Sequence, residues 1–314
     1  MAGRGRSWTL LGVPSSAGGH TPGMDLAPAA IRSAGLAEAL VARGHGVADS
    51  GDVRGFRRTP DPAHPDRQNI AEVARVADDT ADTLARIVAT GSTPLVIGGD
   101  CTVTTGVVAG FRRANAPAAL LYLDGGPDLY TPGGIAYGNV DAMGVAHLLA
   151  LPGSDPVLTA ALGPAPLLRT DEIVLLGDAR PEDPADLEWR RVNELGLVRI
   201  PATCVHEDAA AAARAARDAI EAAGERFVLH FDVDVLGHLH LPLANMPNPD
   251  AAPWGLDVEE VVTVLRVLTA SDRFAGLVLT EVNPANAPDA SALVDYVRMV
   301  VDGVSPAPAR SRPV

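Results

Sequence analysis

Short apolar runs alternate along this chain with longer segments in which apolar residues recur every three or four positions. The longer segments are typical of amphipathic helices, and the clearest span residues 28–43, 68–90 and 208–223. The short runs, rich in Val, Ile and Leu, predict strands. The predicted strands are residues 8–14, 46–53, 94–100, 119–125, 173–178, 197–204, 227–235 and 276–282. Most of them are separated by one helix, so the chain repeats a strand–helix unit.

Several predicted strands are apolar along almost their whole length, as in PLVIGG and ALLYLD. Such strands are buried on both faces and occur in parallel sheets that carry helices on each side. Eight strands fit an open sheet or a closed barrel, and the alternation alone leaves both open. We expect one domain spanning residues 1–314, with flexible tails at 1–7 and 304–314.

Charge excludes several functions. The chain has 25 basic and 39 acidic residues, a net charge of −14, which is the wrong sign for binding a phosphate backbone. All the basic residues are Arg, and the absence of Lys from the sequence removes Schiff-base and P-loop lysine chemistry. Neither a nucleic-acid nor a membrane partner is expected.

The two cysteines, Cys101 and Cys204, cannot build a disulfide framework. The first residues lack the apolar core of a secretory signal, and no stretch approaches the roughly 20 apolar residues of a membrane helix. These features predict a cytoplasmic protein.

Acidic residues stand at the ends of four predicted strands, where a parallel sheet collects functional side chains. The motifs are GGDC ending at Cys101, DGGPD from Asp124 to Asp128, HFDVD from His230 to Asp234, and LTE ending at Glu281. In a strand, residues 230, 232 and 234 share one face. Burying several carboxylates together is costly without a cation, so the pattern predicts a site for Mn or Mg, or for Zn or Fe if nitrogen or sulfur joins.

A single acid at a strand end more often caps a helix or binds loop amides than it binds a metal. The four motifs together favour the metal site, because structural roles for all of them at one sheet edge would leave many carboxylates without a counter-charge.

In their order along the chain and in their residues, these motifs resemble those of the arginase/agmatinase family, whose members are also called ureohydrolases. The family motifs GGDH, DAHxD, SGNxHG, SFDVD and EVNP stand here as GGDC, DGGPD, YGNVDA, HFDVD and EVNP, and GVPSSAGG followed by PAAIR resembles the arginase opening. The resemblance covers roughly residues 8–300. It implies a three-layer αβα fold, an open and mostly parallel eight-stranded sheet, and assembly into trimers or hexamers.

The resemblance also implies roles for individual residues. Two Mn ions in the family hold a hydroxide that attacks the guanidinium carbon. The matching metal ligands here are Asp124, Asp128, Asp232 and Asp234. Glu281 matches the acid that grips the guanidinium group, and Asn139 matches a contact for the amino-acid end of the substrate. Asp183 and Asp186 match acids that bind the α-amino group, although the segment GDARPEDPAD carries a one-residue insertion.

The three histidines of the family site are replaced. Cys101 and Gly126 stand where two ligand histidines are usual, and Asp141 stands where a proton-shuttling histidine is usual. Tyr137 replaces a small Ser, and Met246 replaces a Thr. Cys101 is then either a weak ligand of one metal ion or a small apolar filler. With these replacements, the resemblance implies one or two Mn ions: a single, more weakly bound ion or a pair with altered affinities.

Three nearby histidines, His230, His238 and His240, could compensate as ligands or could only form hydrogen bonds.

This pattern of replacements resembles the Nω-hydroxy-L-arginine amidinohydrolases of D-cycloserine-type antibiotic pathways, which release hydroxyurea and ornithine. In such an enzyme Asp141 is expected either to act as the acid for the departing amine or only to hydrogen-bond its loop, and Asp128 and Glu281 also belong to the expected catalytic set. Tyr137 is expected to donate a hydrogen bond to the substrate hydroxyl or to fill space. Two alternatives stay open: an arginase-like scaffold that has lost catalysis, and an ordinary ureohydrolase.

Overall fold

The computed structural model describes residues 5–180, 182–183, 185–245 and 255–306. All eight predicted strands are present in one sheet, although several are shorter than predicted. They are β1 (Ser7–Gly12), β2 (Gly46–Asp52), β3 (Thr93–Ile97), β4 (Ala119–Leu123), β5 (Ile173–Leu176), β6 (Val198–Ile200), β7 (Phe227–Asp232) and β8 (Phe274–Thr280).

The strand order is β2-β1-β3-β8-β7-β4-β5-β6, and every neighbouring pair runs parallel. Strands β2 and β6 form the two edges, so the sheet is open and not a barrel. The expected three-layer α/β architecture is therefore confirmed. The four central strands, β3, β8, β7 and β4, are those whose carboxyl ends carry the acidic motifs.

Helices cover both faces of the sheet. They are α1 (Ala27–Ser33), α2 (Leu36–Ala42), α3 (Ile70–Ala89), α4 (Val103–Arg113), α5 (Gly144–Leu148), α6 (Pro156–Leu162), α7 (Leu187–Leu195), α8 (Ala202–Glu207), α9 (Ala209–Ala223), α10 (Val258–Thr269) and α11 (Ala290–Val304). Helices α1, α2, α9, α10 and α11 pack on one face, and α3 to α7 pack on the other.

Several predicted boundaries are wrong, among them those of one helix and one strand. The helix predicted at 28–43 is two helices, because Gly35 has φ 87° and this left-handed conformation interrupts the ladder of hydrogen bonds. The strand predicted at 197–204 ends at Ile200, and the exposed Cys204 lies in α8. The helices predicted at 68–90 and 208–223 correspond to α3 and α9.

The central strands are buried on both sides, as their apolar runs predict: every residue of β4 and of β7 is buried. The edge strand β2 is the opposite, with mostly exposed residues of the sequence GVADSGD. Its Asp49 and Asp52 both pair with Arg32, at 2.7 and 2.6 Å. Charges along a sheet edge discourage pairing with another chain.

The chain ends are partly described. Strand β1 begins at Ser7 and α11 continues to Val304, while the remainder of the predicted tails at 1–4 and 307–314 lies outside the described residues. Among the helices that the structure describes, none has the length and apolar character needed to cross a membrane.

Candidate active site

A cavity of about 260 Å³ opens at the carboxyl ends of the four central strands. It contains eight of the residues that the sequence places in the site. These are Cys101, Asp124, Asp128, Asn139, Asp141, Asp232, Asp234 and Glu281. Residues that lie far apart in the sequence therefore meet at one sheet edge, as the parallel topology predicts.

Asp232 is the last residue of β7, and Asp234 lies in the single turn of 3-10 helix that follows. The prediction that β7 continues to residue 235 is therefore wrong, yet both carboxylates reach the cavity. The turn forms because Asp232 Oδ1 accepts a hydrogen bond of 2.7 Å from the backbone N–H of Asp234. Asp234 in turn accepts one of 3.0 Å from the backbone N–H of Gly125, which ties β7 to the loop after β4.

The loop after β4 presents Asp124 and Asp128. Asp124 Oδ1 accepts a hydrogen bond of 2.6 Å from the backbone N–H of Gly126. Asp128 accepts one from the hydroxyl of Tyr122, and its backbone has φ 47°, in the left-handed region. Residues other than glycine adopt this region at a cost of about 1 kcal/mol. The loop thus holds Asp128 in the site at an energetic cost.

Four donor atoms gather at what we call the Cys101 end of the cavity. Cys101, Asp124 and Asp232 line the cavity there, and the buried His230 lies behind them. One atom from each lies within 4.8 Å of the others, and all four side chains are buried. Cys101 Sγ lies 2.7 Å from Asp232 Oδ2 and 4.0 Å from Asp124 Oδ2. This spacing and the mixture of sulfur, nitrogen and oxygen fit a divalent transition-metal ion.

His230 lies behind the acids, with its ring stacked 4.0 Å from the ring of Tyr122. Its Nδ1 is 2.6 Å from the hydroxyl of Thr104, and its Nε2 is 3.1 Å from Asp124 Oδ2. Burial lowers the pKa of His230 to about 3, so the ring is neutral. A neutral imidazole anchored through Nδ1 can present Nε2 to a metal ion or hydrogen-bond an acid that binds one.

The opposite, Gly126 end of the cavity is formed by Gly126, Arg180 and Asp234. Gly126 contributes no side chain, and the Glu188 carboxylate at this end is already paired with Arg180 at 2.6 Å. The ligands needed for one metal ion are present at the Cys101 end. At the Gly126 end the described residues supply fewer.

Electrostatics in the cavity favour a bound cation. Burial raises the pKa of Asp124 to about 7 and that of Asp234 to about 6. Burial, followed by the charges of neighbouring acids, raises the pKa of Asp128 and Asp232 well above the usual range. Carboxylates shifted in this way are stabilised by any cation that replaces lost solvation.

Glu281 and Asp141 line the cavity beside the candidate metal ligands. Glu281 follows β8 with φ 61°, and its Oε1 accepts a hydrogen bond of 3.3 Å from the backbone N–H of Cys101. Asp141 accepts a hydrogen bond of 2.5 Å from Asn139 Nδ2. Burial and the neighbouring Asp100 raise the pKa of Asp141 to about 7. Asn139 Oδ1 is buried without a hydrogen-bond partner among the described residues, so it can accept one from a ligand.

Three of the predicted substrate contacts lie outside the cavity. Tyr137 is 66% exposed, and Asp183 is exposed and binds the backbone N–H of Ala185. Asp186 caps the N-terminus of α7 and accepts a hydrogen bond of 2.9 Å from the hydroxyl of Tyr130, which does line the cavity.

The two remaining candidate histidines, His238 and His240, do not line the cavity. Met246 lies outside the described residues.

Five polar residues that the sequence did not single out also line the cavity: His20, Tyr130, Arg180, Glu188 and Asn245. Glu188 is 1% exposed and pairs with Arg180 at 2.6 Å. In the sequence, Glu188 stands just after the helix cap Asp186, where acidic residues are common because they stabilise the first turn of a helix. Arg180 follows β5, and its place after a strand end was the one available signal.

The sequence model of the Arginase family matches residues 6–301. Arginase-1 of Sus scrofa is 28% identical over 291 residues, covering 91% of this chain and 87% of that protein. The crystal structure of arginase from Bacillus cereus superposes with a TM-score of 0.84 at 22% identity, covering 97% of this chain and 100% of that one. The structure of proclavaminate amidino hydrolase from Streptomyces clavuligerus superposes with a TM-score of 0.70 at 20% identity, covering 96% of this chain and 93% of that one. The two structures show a shared fold, and the match of the family model over nearly the whole chain shows that this protein belongs to the arginase family.

Proposed function

We propose that this protein is a metal-dependent amidinohydrolase whose substrate is Nω-hydroxy-L-arginine and whose products are hydroxyurea and L-ornithine. Membership of the arginase family supports the hydrolysis of a guanidino or amidino group. One observation carries the finer proposal. The cavity keeps the acids Asp124, Asp128, Asp232 and Asp234, while Cys, Gly and Asp replace the three histidines of the family motifs.

One or two metal ions are held at the carboxylate cluster in this proposal, with Mn as the expected ion. When bound, a divalent cation supplies the charge that makes a water molecule nucleophilic at neutral pH. Asp124 and Asp232 are the acids that would be shared if ions were held at both ends of the cavity. Cys101 adds a sulfur donor at one end, as its 4.0 Å separation from Asp124 Oδ2 allows.

Glu281 is proposed to bind the guanidino group. It is buried, and its carboxylate lies beside the Cys101 end, with Oε1 at 3.8 Å from Cys101 Sγ. A carboxylate accepts hydrogen bonds from two nitrogens of a guanidino group and so fixes its plane. The guanidino carbon is thereby oriented toward the metal ligands.

Asp141 is proposed to protonate the departing δ-nitrogen. Since burial raises its pKa to about 7, a substantial fraction carries a proton at neutral pH. Asn139 donates to the Asp141 carboxylate and so holds it against the cavity. The free Oδ1 of Asn139 is suited to a donor at the amino-acid end of the substrate.

The hydroxyl group of the substrate explains why a less complete metal centre would suffice. An N-hydroxyguanidine is less basic than an ordinary guanidine, so its neutral form is easier to reach and enters a cation-containing site without charge repulsion. In a centre with two strongly held ions, the hydroxyl could engage both and displace the nucleophile. Replacing ligand histidines by Cys101 and Gly126 relieves that inhibition.

Contacts for the α-amino group are proposed at Asp186 and Asp183. Asp186 is linked to the cavity through the hydroxyl of Tyr130. Asp183 lies three residues earlier on the same loop, and Tyr137 stands at 66% exposure on the loop after β4. In the proposal the two aspartates act on the α-amino end of the substrate, which is the part that projects from the cavity.

The test is metal analysis of the purified protein together with urea and hydroxyurea assays on L-arginine and Nω-hydroxy-L-arginine, each with added Mn. Bound metal and faster release of hydroxyurea than of urea are expected. Faster turnover of L-arginine would replace the proposal with an ordinary ureohydrolase. Absence of both metal and turnover would leave an arginase-like scaffold.

A further inference from the structure

The Arg180 guanidinium group covers the backbone of Gly126. A Cβ atom built on Gly126 would lie 3.3 Å from Arg180 Nη2, 3.5 Å from Cζ and 3.7 Å from Nε. Any side chain at position 126 would therefore meet the guanidinium at once. The place where the family motif puts a ligand histidine is filled here by a permanent cation.

Arg180 is held in this position from two sides. Its Nη2 donates a hydrogen bond of 2.6 Å to Glu188 Oε2, and its Cζ lies 5.4 Å from the centre of the Trp189 ring. Glu188 is itself fixed, because Oε1 accepts a hydrogen bond of 2.7 Å from the backbone N–H of Leu129. Arg180 Nε is buried and has no hydrogen-bond partner among the described residues. The guanidinium is thus a fixed part of the cavity wall.

The charge of Arg180 acts on the same carboxylates that would bind a metal ion. Burial raises the pKa of Asp124 and Asp234, and the positive charge of Arg180 opposes the rise at both. Asp128 in turn favours the charged form of Arg180. A cation placed at this end would lie beside a guanidinium, and like charges at close range repel each other.

We propose that the Arg180 guanidinium takes the place of one of the two metal ions, so that each chain binds a single divalent cation, at the Cys101 end. Arg180 in this role is a positioning and charge-balancing residue. The inference rests on the metal dependence proposed above and is independent of the substrate. Glycine at 126 and arginine at 180 then act as a pair, because the small residue makes room for the large cation.

The experiment counts ions in the intact chain. The metal-free protein is titrated with Mn²⁺ by calorimetry, and the loaded protein is assayed by elemental analysis and electron paramagnetic resonance. We expect one ion per chain and the spectrum of an isolated Mn²⁺. The double variant Gly126→His/Arg180→Ala should bind two ions and show the spectrum of an exchange-coupled pair.

Arg199→Ala is the matched control. Arg199 also lies on the Trp189 ring, at 4.6 Å, and pairs with the buried Asp178 at 2.5 Å, but it does not line the cavity. The Arg199→Ala substitution should lower the Tm about as much as removal of Arg180 does, and the variant should still bind one ion per chain. Thermal denaturation of every variant confirms folding, and the wild-type count decides the question even if a variant fails to fold.

The outcomes separate this inference from the proposed function. Two coupled ions in the wild type with turnover of the substrate would overturn the role of Arg180 and leave the amidinohydrolase standing. One bound ion without turnover of either guanidino substrate would support the role of Arg180 and overturn the amidinohydrolase proposal. A double variant that still binds one ion would show that Arg180 is not what excludes the second.

Discussion

The two ends of the cavity share Asp124 and Asp232 but differ in what balances their charge. At the Cys101 end, sulfur and imidazole donors surround the acids at metal-ligand spacing. At the Gly126 end, a side chain is missing and a guanidinium lies over the backbone. The same fold thus offers a metal site at one end and an internal cation at the other. Both arrangements solve one problem, the cost of burying several carboxylates together.

The largest effect is expected from Asp232→Ala, which removes an acid that serves both ends. Turnover should fall by at least about 10³-fold, which corresponds to about 4 kcal/mol of transition-state stabilisation. Bound metal should fall with it. The control is Asp155→Asn, since Asp155 is buried but caps α6 away from the cavity. Retained metal and activity in Asp232→Ala would show that the acids are not ligands.

Asp141→Asn tests a residue that belongs to neither end. Loss of the acid should lower kcat by roughly 10²-fold, the usual contribution of general acid catalysis. Because the pKa of Asp141 is raised to about 7, the protonated form is lost as pH rises, so the wild-type rate should fall above about pH 7. The variant should have a low kcat that no longer falls above about pH 7. An unchanged profile would assign the proton transfer elsewhere.

Cys101→His sharpens the contrast between the ends by restoring the family residue at one of them. Imidazole in place of a buried thiol should tighten Mn²⁺ binding by about 10-fold or more, because burial raises the pKa of Cys101 well above its usual range and a thiol must lose its proton to ligate. Chelator competition measures the affinity. Cys204→His is the control, as Cys204 is exposed on α8. Equal effects from both would point to nonspecific binding by histidine.

The smallest effect concerns stability. Burial raises the pKa of Asp124 to about 7 and of Asp234 to about 6, so the metal-free fold holds more protons than the unfolded chain between about pH 4 and pH 7. Its free energy of unfolding therefore falls as pH rises through that window. We expect the Tm of metal-free protein to be about 5 °C lower at pH 8 than at pH 5.

Added Mn²⁺ should reverse this trend, because the acids must be deprotonated to bind it. Thermal denaturation with and without chelator measures both changes. A Tm of the metal-free protein that rises with pH would contradict the burial of uncompensated acids at both ends.

Much of this molecule could be predicted from sequence because its signals are local. The apolar runs of β4 and β7 predict buried parallel strands, and Asp124 and Asp232 follow from their places at strand ends. The break between α1 and α2 at Gly35 was harder to predict, because a glycine is compatible with both helical and left-handed backbone conformations. The partnership of Arg180 with Gly126 could not be predicted, because it depends on how two loops, 54 positions apart in sequence, approach each other in space.

Asp128 and Glu281 both have left-handed backbones, with φ of 47° and 61°. Glycine would adopt these conformations without strain, so each acid costs the fold about 1 kcal/mol. Random mutation under selection for folding alone would therefore favour glycine at both positions and dismantle the site. A scaffold that no longer catalysed would be free to take that course. This chain holds an acid at both positions, which marks it as a sequence shaped by demands beyond its own stability.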